Sequence, residues 1–202
     1  MSDPQPVSTR RDLLSAVYPA NAARTVDSAT VRSCRDRIQP EAGITVRLSA
    51  RVMACDFSVI MNPGVTDQIE AAGAALELVS AIEDWLSIYR HSSELSSVNR
   101  TAAESPVSVR HGLFSLLQAA MHINARTDGA FDMATGALTQ LWRASRRAAT
   151  IPLQQEIDIA LTRTGLKHVE LQPESKSIAF RVPGIVLDPG AIGKGYALDE
   201  AA

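Results

Sequence analysis

The sequence has 202 residues, of which 46% are hydrophobic and 21% are charged, and its 20 basic and 22 acidic side chains give a formal charge of −2. This composition excludes a disordered chain and argues against a basic nucleic-acid-binding domain. The sequence contains no run of about 18 apolar residues, so it predicts no transmembrane segment, and its 2 cysteines are too few for a disulfide framework.

Residues 1–47 are polar, rich in arginine and without apolar periodicity, which predicts an N-terminal extension ahead of a single domain over residues 48–202. Arg10 and Arg11 resemble the start of a twin-arginine export signal. The apolar stretch of about 7–15 residues that a signal peptide needs does not follow them. We therefore expect a cytoplasmic protein, with export by a degenerate signal as the less favoured alternative.

The first regular patterns predict a strand and a helix. Apolar side chains alternate from Met53 to Met61, as in a strand with one buried face. After Asn62–Gly64 breaks this pattern, apolar residues recur at helical spacing: Ile69, Ala72, Leu76, Val79, Ile82, Leu86 and Tyr89. Tyr89 closes this stripe, so the pattern by itself predicts a core position for it.

The remaining patterns predict further helices and short strands, and the order of elements favours an α+β fold. Gly129 and Gly165 are predicted to end two of the helices. The predicted helices cover roughly 94–99, 111–127, 136–142, 156–164 and the residues from 193 onward, and the predicted strands cover 107–109, 168–171, 177–181 and 185–187.

The stretch from Leu187 to Asp199 carries the clearest chemical signal. Gly190, Gly193 and Gly195 let backbone N–H groups approach a ligand closely, and Lys194 adds positive charge at the predicted start of a helix. These features suit a phosphate or pyrophosphate, although the spacing matches neither a P-loop nor a dinucleotide fingerprint. The alternative is a strand-to-helix turn with a solvated lysine.

Two other polar clusters are weaker signals. Asp132 follows Phe131 in a glycine-flanked loop that could bind a ligand ring and its polar edge, or Asp132 could simply cap the next segment. The loop from Tyr89 to Asn99 could be a polar connection with a serine cap. The histidines show no zinc-binding HExxH spacing. The sequence also contains no G-x-S-x-G nucleophile motif, which argues against a hydrolase with a serine or cysteine nucleophile.

Taken in order, four segments resemble the motifs of the FAD:protein FMN transferase family, known as ApbE: Met53–Phe57, Tyr89–Asn99, Asp128–Trp142 and Asp188–Asp199. The resemblance implies an α+β, T-fold-like architecture with a mixed sheet and packed helices. It also implies Mg²⁺-dependent transfer of FMN from FAD to a threonine or serine hydroxyl of an acceptor flavoprotein, with release of AMP. It implies FAD contacts by Met53, Tyr89, Ala130, Phe131, Asp132, Asp188 and Lys194, and a metal ligand in the backbone carbonyl of Ala191.

The sequence departs from the family in its length. Family members continue for roughly another hundred residues, and that portion carries an aspartate and a threonine that bind the metal and a further FAD contact. We therefore expect the chain to be an N-terminal portion truncated at its C-terminus, which could be inactive. The alternative to a transferase is a non-catalytic FAD-binding module or remnant.

Overall fold

The computed structural model describes residues 45–63 and 66–202. Residues 1–44, which make up almost all of the predicted N-terminal extension, lie outside the described residues. Residues 48–59 and 66–202 belong to one compact unit, which contains every feature below apart from the outer ends of the first two strands.

Helices and small sheets build this part of the chain, which confirms the predicted α+β class. The strands are β1 (Val46–Val52), β2 (Cys55–Met61), β3 (Val107–Ser108), β4 (Val169–Gln172) and β5 (Ser177–Phe180). The helices are α1 (Thr66–Leu86), α2 (Glu94–Thr101), α3 (His111–Arg126), α4 (Gly136–Arg147), α5 (Gln154–Thr162) and α6 (Gly193–Glu200). Strands β1 and β2 form a two-stranded sheet, and β3, β5 and β4 form an antiparallel sheet in that order.

The first sheet is a hairpin whose tip is conformationally unusual. The sequence-based prediction covers only the second strand and misses β1, although Val46, Leu48, Ala50 and Val52 alternate there with polar side chains. Met53 and Ala54 connect the strands with φ angles of 52° and 59°, the combination of positive φ values that the two central residues of a type I′ turn require. The Met53 N–H donates a hydrogen bond to Glu83 Oε1 over 2.9 Å, so α1 holds this turn in place.

Helix α1 supplies one wall of the hydrophobic core. Ala72, Val79, Ile82 and Leu86 are buried along the predicted stripe, and the last three belong to the same core as the buried leucines of α3. The stripe is wrong at both ends: Ile69 is 44% exposed in the first turn, and Tyr89 is 76% exposed because the helix ends at Leu86. None of the helices in the described part of the chain combines the length and apolarity needed to cross a bilayer.

The second sheet confirms the predicted hairpin between β4 and β5. Val169 pairs with Phe180 and Gln172 with Ser177, and β3 adds to the other edge of β5. Val169, Ile178 and Phe180 are buried against the core.

Residues 185–187 do not form the predicted third strand, although Ile185 and Leu187 are fully buried. The side-chain amide of Asn99 takes the place of a neighbouring strand: its Oδ1 accepts a hydrogen bond from Leu187 N over 2.8 Å, and its Nδ2 donates to Leu187 O over 3.0 Å. Gly136 N donates to Val186 O over 3.0 Å. The apolar pattern predicts the burial correctly, but the hydrogen-bond partners are a side chain and a helix start.

Candidate functional site

A cavity of about 250 Å³ lies where several separate segments converge. They are the β1–β2 turn, the end of α1 with the loop after it, α4, the turn of residues 188–193 (the glycine-rich turn) and the start of α6. The lining residues are Met53, Ala54, Glu83, Leu86, Ser87, Ile88, Tyr89, Arg143, Asp188, Pro189, Gly190, Gly193 and Lys194.

Four of the residues that the resemblance implies as FAD contacts line this cavity: Met53, Tyr89, Asp188 and Lys194. They come from three of the four motif segments and are brought together by the fold. The cavity also exposes apolar surface from Leu86 and Ile88, so it offers both apolar and charged groups to a ligand.

Asp188 is the most constrained of these residues. Its Oδ1 accepts a hydrogen bond from Gly190 N over 2.9 Å, which makes it the cap of the single 3₁₀ turn Pro189–Ala191. Its own N–H donates to Met133 O over 2.8 Å, and its side chain is only 14% exposed. The carboxylate is therefore fixed at the edge of the cavity before any ligand binds.

Tyr89 reaches the cavity because α1 stops short of it. The hydroxyls of Ser93 and Ser96 both donate to Ser87 O, with a distance of 3.1 Å for Ser96, and they hold the chain in a loop after α1. Ser93 also caps α2, accepting from Ser96 N over 3.0 Å. A helical pattern of apolar residues does not reveal these serine contacts. They keep the chain after Leu86 out of the helix and so place Tyr89 outside the core.

Sequence reasoning missed Arg143, whose side chain links Tyr89 to Asp188. Its Nη1 donates to the Tyr89 hydroxyl over 2.5 Å, its guanidinium carbon lies 5.8 Å from the centroid of the Tyr89 ring, and its Nη2 lies 3.7 Å from Asp188 Oδ2. The missed signal is that α4 continues beyond the predicted end at Trp142 to Arg147. Arg143 then lies two turns after Gly136, on the face of α4 that approaches residues 186–188.

The predicted contacts Ala130, Phe131 and Asp132 do not line this cavity. Ala130 is exposed and Phe131 is half-buried against the core. The Asp132 carboxylate accepts hydrogen bonds from Ala134 N over 2.7 Å and from Leu166 N, whose nitrogen lies 3.0 Å from Oδ2. Asp132 therefore ties the loop before α4 to the segment after α5, whereas the N-cap of α4 is Thr135.

Lys194 and Ala191 lie on either side of the start of α6. Lys194 is exposed in the first turn and has no ion-pair partner among the described residues, so its ammonium group is available to a ligand. Ala191 is exposed at the end of the 3₁₀ turn. No group of three or more histidine, cysteine, aspartate or glutamate side chains in the described ranges could hold a metal ion.

The helix that carries Lys194 is anchored by close packing. A Cβ atom at Gly193 would lie 2.9 Å from Leu86 Cδ2, so a larger residue there would have to displace the Leu86 side chain. Tyr196 is buried edge-to-face against Trp85, with ring centroids 5.9 Å apart. Burial, together with the nearby Glu200 carboxylate, raises the pKa of Tyr196 to about 12.

A larger depression of about 670 Å³ lies beside α1 and α2 but contains none of the motif residues predicted to bind FAD. Its charged side chains are already matched: Arg90 pairs with Asp84, and Arg110 Nε lies 2.6 Å from Glu94 Oε2. Arg110 also lies over the Trp85 ring, 5.3 Å from its centroid. The smaller cavity at the glycine-rich turn is therefore the better candidate for a ligand site.

A sequence model of the ApbE family matches residues 43–202. An FAD:protein FMN transferase of Klebsiella pneumoniae is 34% identical over 129 residues, which are 64% of this chain and 41% of the relative. One from Vibrio cholerae is 27% identical over 161 residues, 78% of this chain and 48% of the relative. The chain thus spans less than half the length of these two curated relatives.

Solved structures show the same fold. The crystal structure of the ApbE protein of Thermotoga maritima matches with a TM-score of 0.70 and 28% identity, covering 78% of this chain and 51% of that one. The flavin transferase ApbE of Vibrio cholerae matches with a TM-score of 0.67 at 24% identity, covering 78% of this chain and 52% of that one. The four motif segments and the cavity lie inside the region that the family model matches.

Proposed function

The chain belongs to the ApbE family, and from this premise we propose that it binds FAD for transfer of FMN to a protein, with the cavity at the glycine-rich turn as the FAD site. The observation that carries the proposal is the convergence of Met53, Tyr89, Asp188 and Lys194 on one cavity. The relatives named FAD:protein FMN transferase support it.

The proposed reaction transfers a phosphoryl-linked group. A threonine or serine hydroxyl oxygen of an acceptor flavoprotein attacks the phosphorus on the FMN side of the FAD pyrophosphate. The P–O bond to the AMP phosphate breaks, AMP leaves with the bridging oxygen, and the hydroxyl proton is released. Catalysis of such a step depends mainly on positioning and on neutralising charge on the phosphates.

The described residues supply part of that neutralisation. Lys194 presents a positive charge to the cavity, and Gly190 and Gly193 bring backbone close to it without side chains in the way. Met53, Tyr89 and Asp188 are proposed to contact FAD beside it. Ala130, Phe131 and Asp132 stay proposed FAD contacts, which would have to reach the ligand beyond the cavity's present lining.

We also propose that the whole reaction requires Mg²⁺, with the Ala191 carbonyl as one ligand. The described residues do not fit a complete metal site, because no cluster of three or more acidic, histidine or cysteine side chains is present among them. A hard cation normally takes six or more oxygen ligands, so one carbonyl does not suffice.

The incomplete metal site among the described residues favours a second candidate function for this 202-residue chain, namely FAD binding without transfer. The two functions are separated by incubating the chain with FAD, Mg²⁺ and a flavoprotein acceptor. Release of AMP together with flavin that stays on the acceptor after denaturation supports transfer. Retention of intact FAD supports a binding module.

Lys194 gives the sharpest test of the proposed site. We expect Lys194→Ala to weaken FAD binding by roughly tenfold or more, since a hydrogen bond to a charged group contributes about 1.5–3 kcal/mol. Titration of FAD fluorescence against the purified chain measures this effect.

Lys167→Ala is the matched control, because Lys167 is exposed and does not line the cavity. Equal losses of FAD affinity in the Lys194 and Lys167 variants would mean that the glycine-rich turn does not bind FAD.

A further inference from the structure

We propose that Arg143 is a positioning residue of the flavin site, which acts by holding Tyr89 at the cavity, and this inference rests on the proposed function. Arg143 is on α4, outside the residues for which the resemblance implies an FAD contact. Its guanidinium group joins Tyr89, on the loop after α1, to Asp188, on the glycine-rich turn.

Tyr89 needs such a partner, because little else fixes it. Tyr89 is 76% exposed and lies beyond the end of α1, and its backbone N–H donates a hydrogen bond over 3.2 Å to Ser87 Oγ in the same loop. Arg143 is the described residue that contacts the Tyr89 ring and hydroxyl. Without it, the tyrosine ring would lose its preferred direction, and FAD binding would have to order it at an entropic cost.

Arginine is suited to this role by its shape. The planar guanidinium donates from one nitrogen to the Tyr89 hydroxyl while its central carbon lies over the ring, and a second nitrogen lies 3.7 Å from an oxygen of the Asp188 carboxylate. A lysine could keep the charge over the ring but could not form both edge contacts at once. The Asp188 carboxylate is a fixed anchor for the guanidinium, because it accepts a hydrogen bond from Gly190 N and is held by the turn rather than by the arginine.

The test is a double-mutant cycle on FAD affinity in the full 202-residue chain. The variants are Arg143→Ala, Arg143→Lys, Tyr89→Ala and the double variant Arg143→Ala/Tyr89→Ala. Arg146→Ala is the matched control, because Arg146 is on the same helix, is exposed and does not line the cavity.

We expect Arg143→Ala to weaken FAD binding about five- to tenfold, the scale of a partly exposed cation–π pair with a hydrogen bond. Arg143→Lys should recover part of the loss. In the Tyr89→Ala background, removing Arg143 should change affinity less than about twofold, because its effect passes through the tyrosine. Arg146→Ala should leave affinity unchanged, and the thermal midpoints of the Arg143→Ala and Arg146→Ala variants should agree.

Three results would overturn the proposal. Unchanged affinity in Arg143→Ala would show that Tyr89 is positioned without it. An equal loss with and without Tyr89 would show that Arg143 acts on the ligand directly or through Asp188. Failure of the unmodified chain to bind FAD would remove both this inference and the proposed function, whereas the first two results leave the proposed function standing.

Discussion

At the scale of single residues, the Asp132 carboxylate is already hydrogen-bonded to backbone groups of the protein. It accepts hydrogen bonds from the backbone of Ala134 and Leu166, and Leu166 is buried. We expect Asp132→Ala to lower the free energy of unfolding by about 1–3 kcal/mol, the usual cost of leaving buried donors without an acceptor. Urea denaturation measures this, with the exposed Asp199→Ala on α6 as the control expected to change stability by less than about 0.5 kcal/mol.

The same Asp132 variant also tests the role that the family resemblance implies. If Asp132→Ala leaves the unfolding free energy unchanged but weakens FAD binding, its carboxylate is a ligand contact and the hydrogen bonds to Ala134 and Leu166 contribute little. If stability alone falls, the motif serves mainly to shape the loop before α4.

The backbone of Ala54 offers a gain in stability. A left-handed conformation costs an L-residue roughly 1–2 kcal/mol, whereas glycine adopts it freely but loses more entropy on folding. We therefore expect Ala54→Gly to raise the unfolding free energy by about 0.5–1 kcal/mol, measured by urea denaturation. Ala50→Gly, in the middle of β1, should instead lower it by about 0.5–1 kcal/mol, and a loss in both variants would mean that the turn is not strained.

At the scale of elements, the start of α4 depends on close contact with residues 185–187. A Cβ atom at Gly136 would lie 2.5 Å from both the carbonyl oxygen and Cγ1 of Val186. We expect Gly136→Ala to destabilise the chain by about 1–3 kcal/mol, as overpacking typically does, and to lengthen the hydrogen bond from Gly136 N to Val186 O.

Gly73→Ala is the opposite case on α1, where an added Cβ would meet no atom within 4 Å. Alanine is favoured over glycine in a helix by about 0.8–1.0 kcal/mol, so this variant should be more stable than the unmodified chain. A Gly136→Ala variant that is as stable as the unmodified chain, or more stable, would contradict the close packing of α4.

Strong periodicity predicted most of the elements, and side-chain hydrogen bonds account for two of the failures. The helical spacing of buried residues identified α1 and α3, and alternation identified β2 and the β4–β5 hairpin. Tyr89 was misplaced because serine hydroxyls divert the chain after Leu86. Residues 185–187 were misread as a strand because an asparagine amide supplies the hydrogen bonds that a neighbouring strand would provide.

At the scale of the whole molecule, the order of four short motifs along the sequence predicted the family. The cavity could not be predicted in this way, because segments distant in sequence form it. Glycines, Asp188 and Lys194 are recognisable in sequence because their chemistry is local. Arg143 was not, since its importance comes from packing of α4 against two distant segments. The predicted cytoplasmic location and the independence of residues 1–47 stay predictions, because they concern residues that are almost all outside the described part.

The double hydrogen bond between Asn99 and Leu187 has a consequence for when the site is assembled. The two residues are 88 positions apart, and closing so long a loop costs chain entropy before any contact repays it. Local pieces such as α1 and the β4–β5 hairpin can form without that closure, but the segment that leads into Asp188 cannot. We therefore infer that the ligand-facing turn is ordered late in folding, so that slow amide hydrogen exchange at Leu187 would report a chain whose site is fully built.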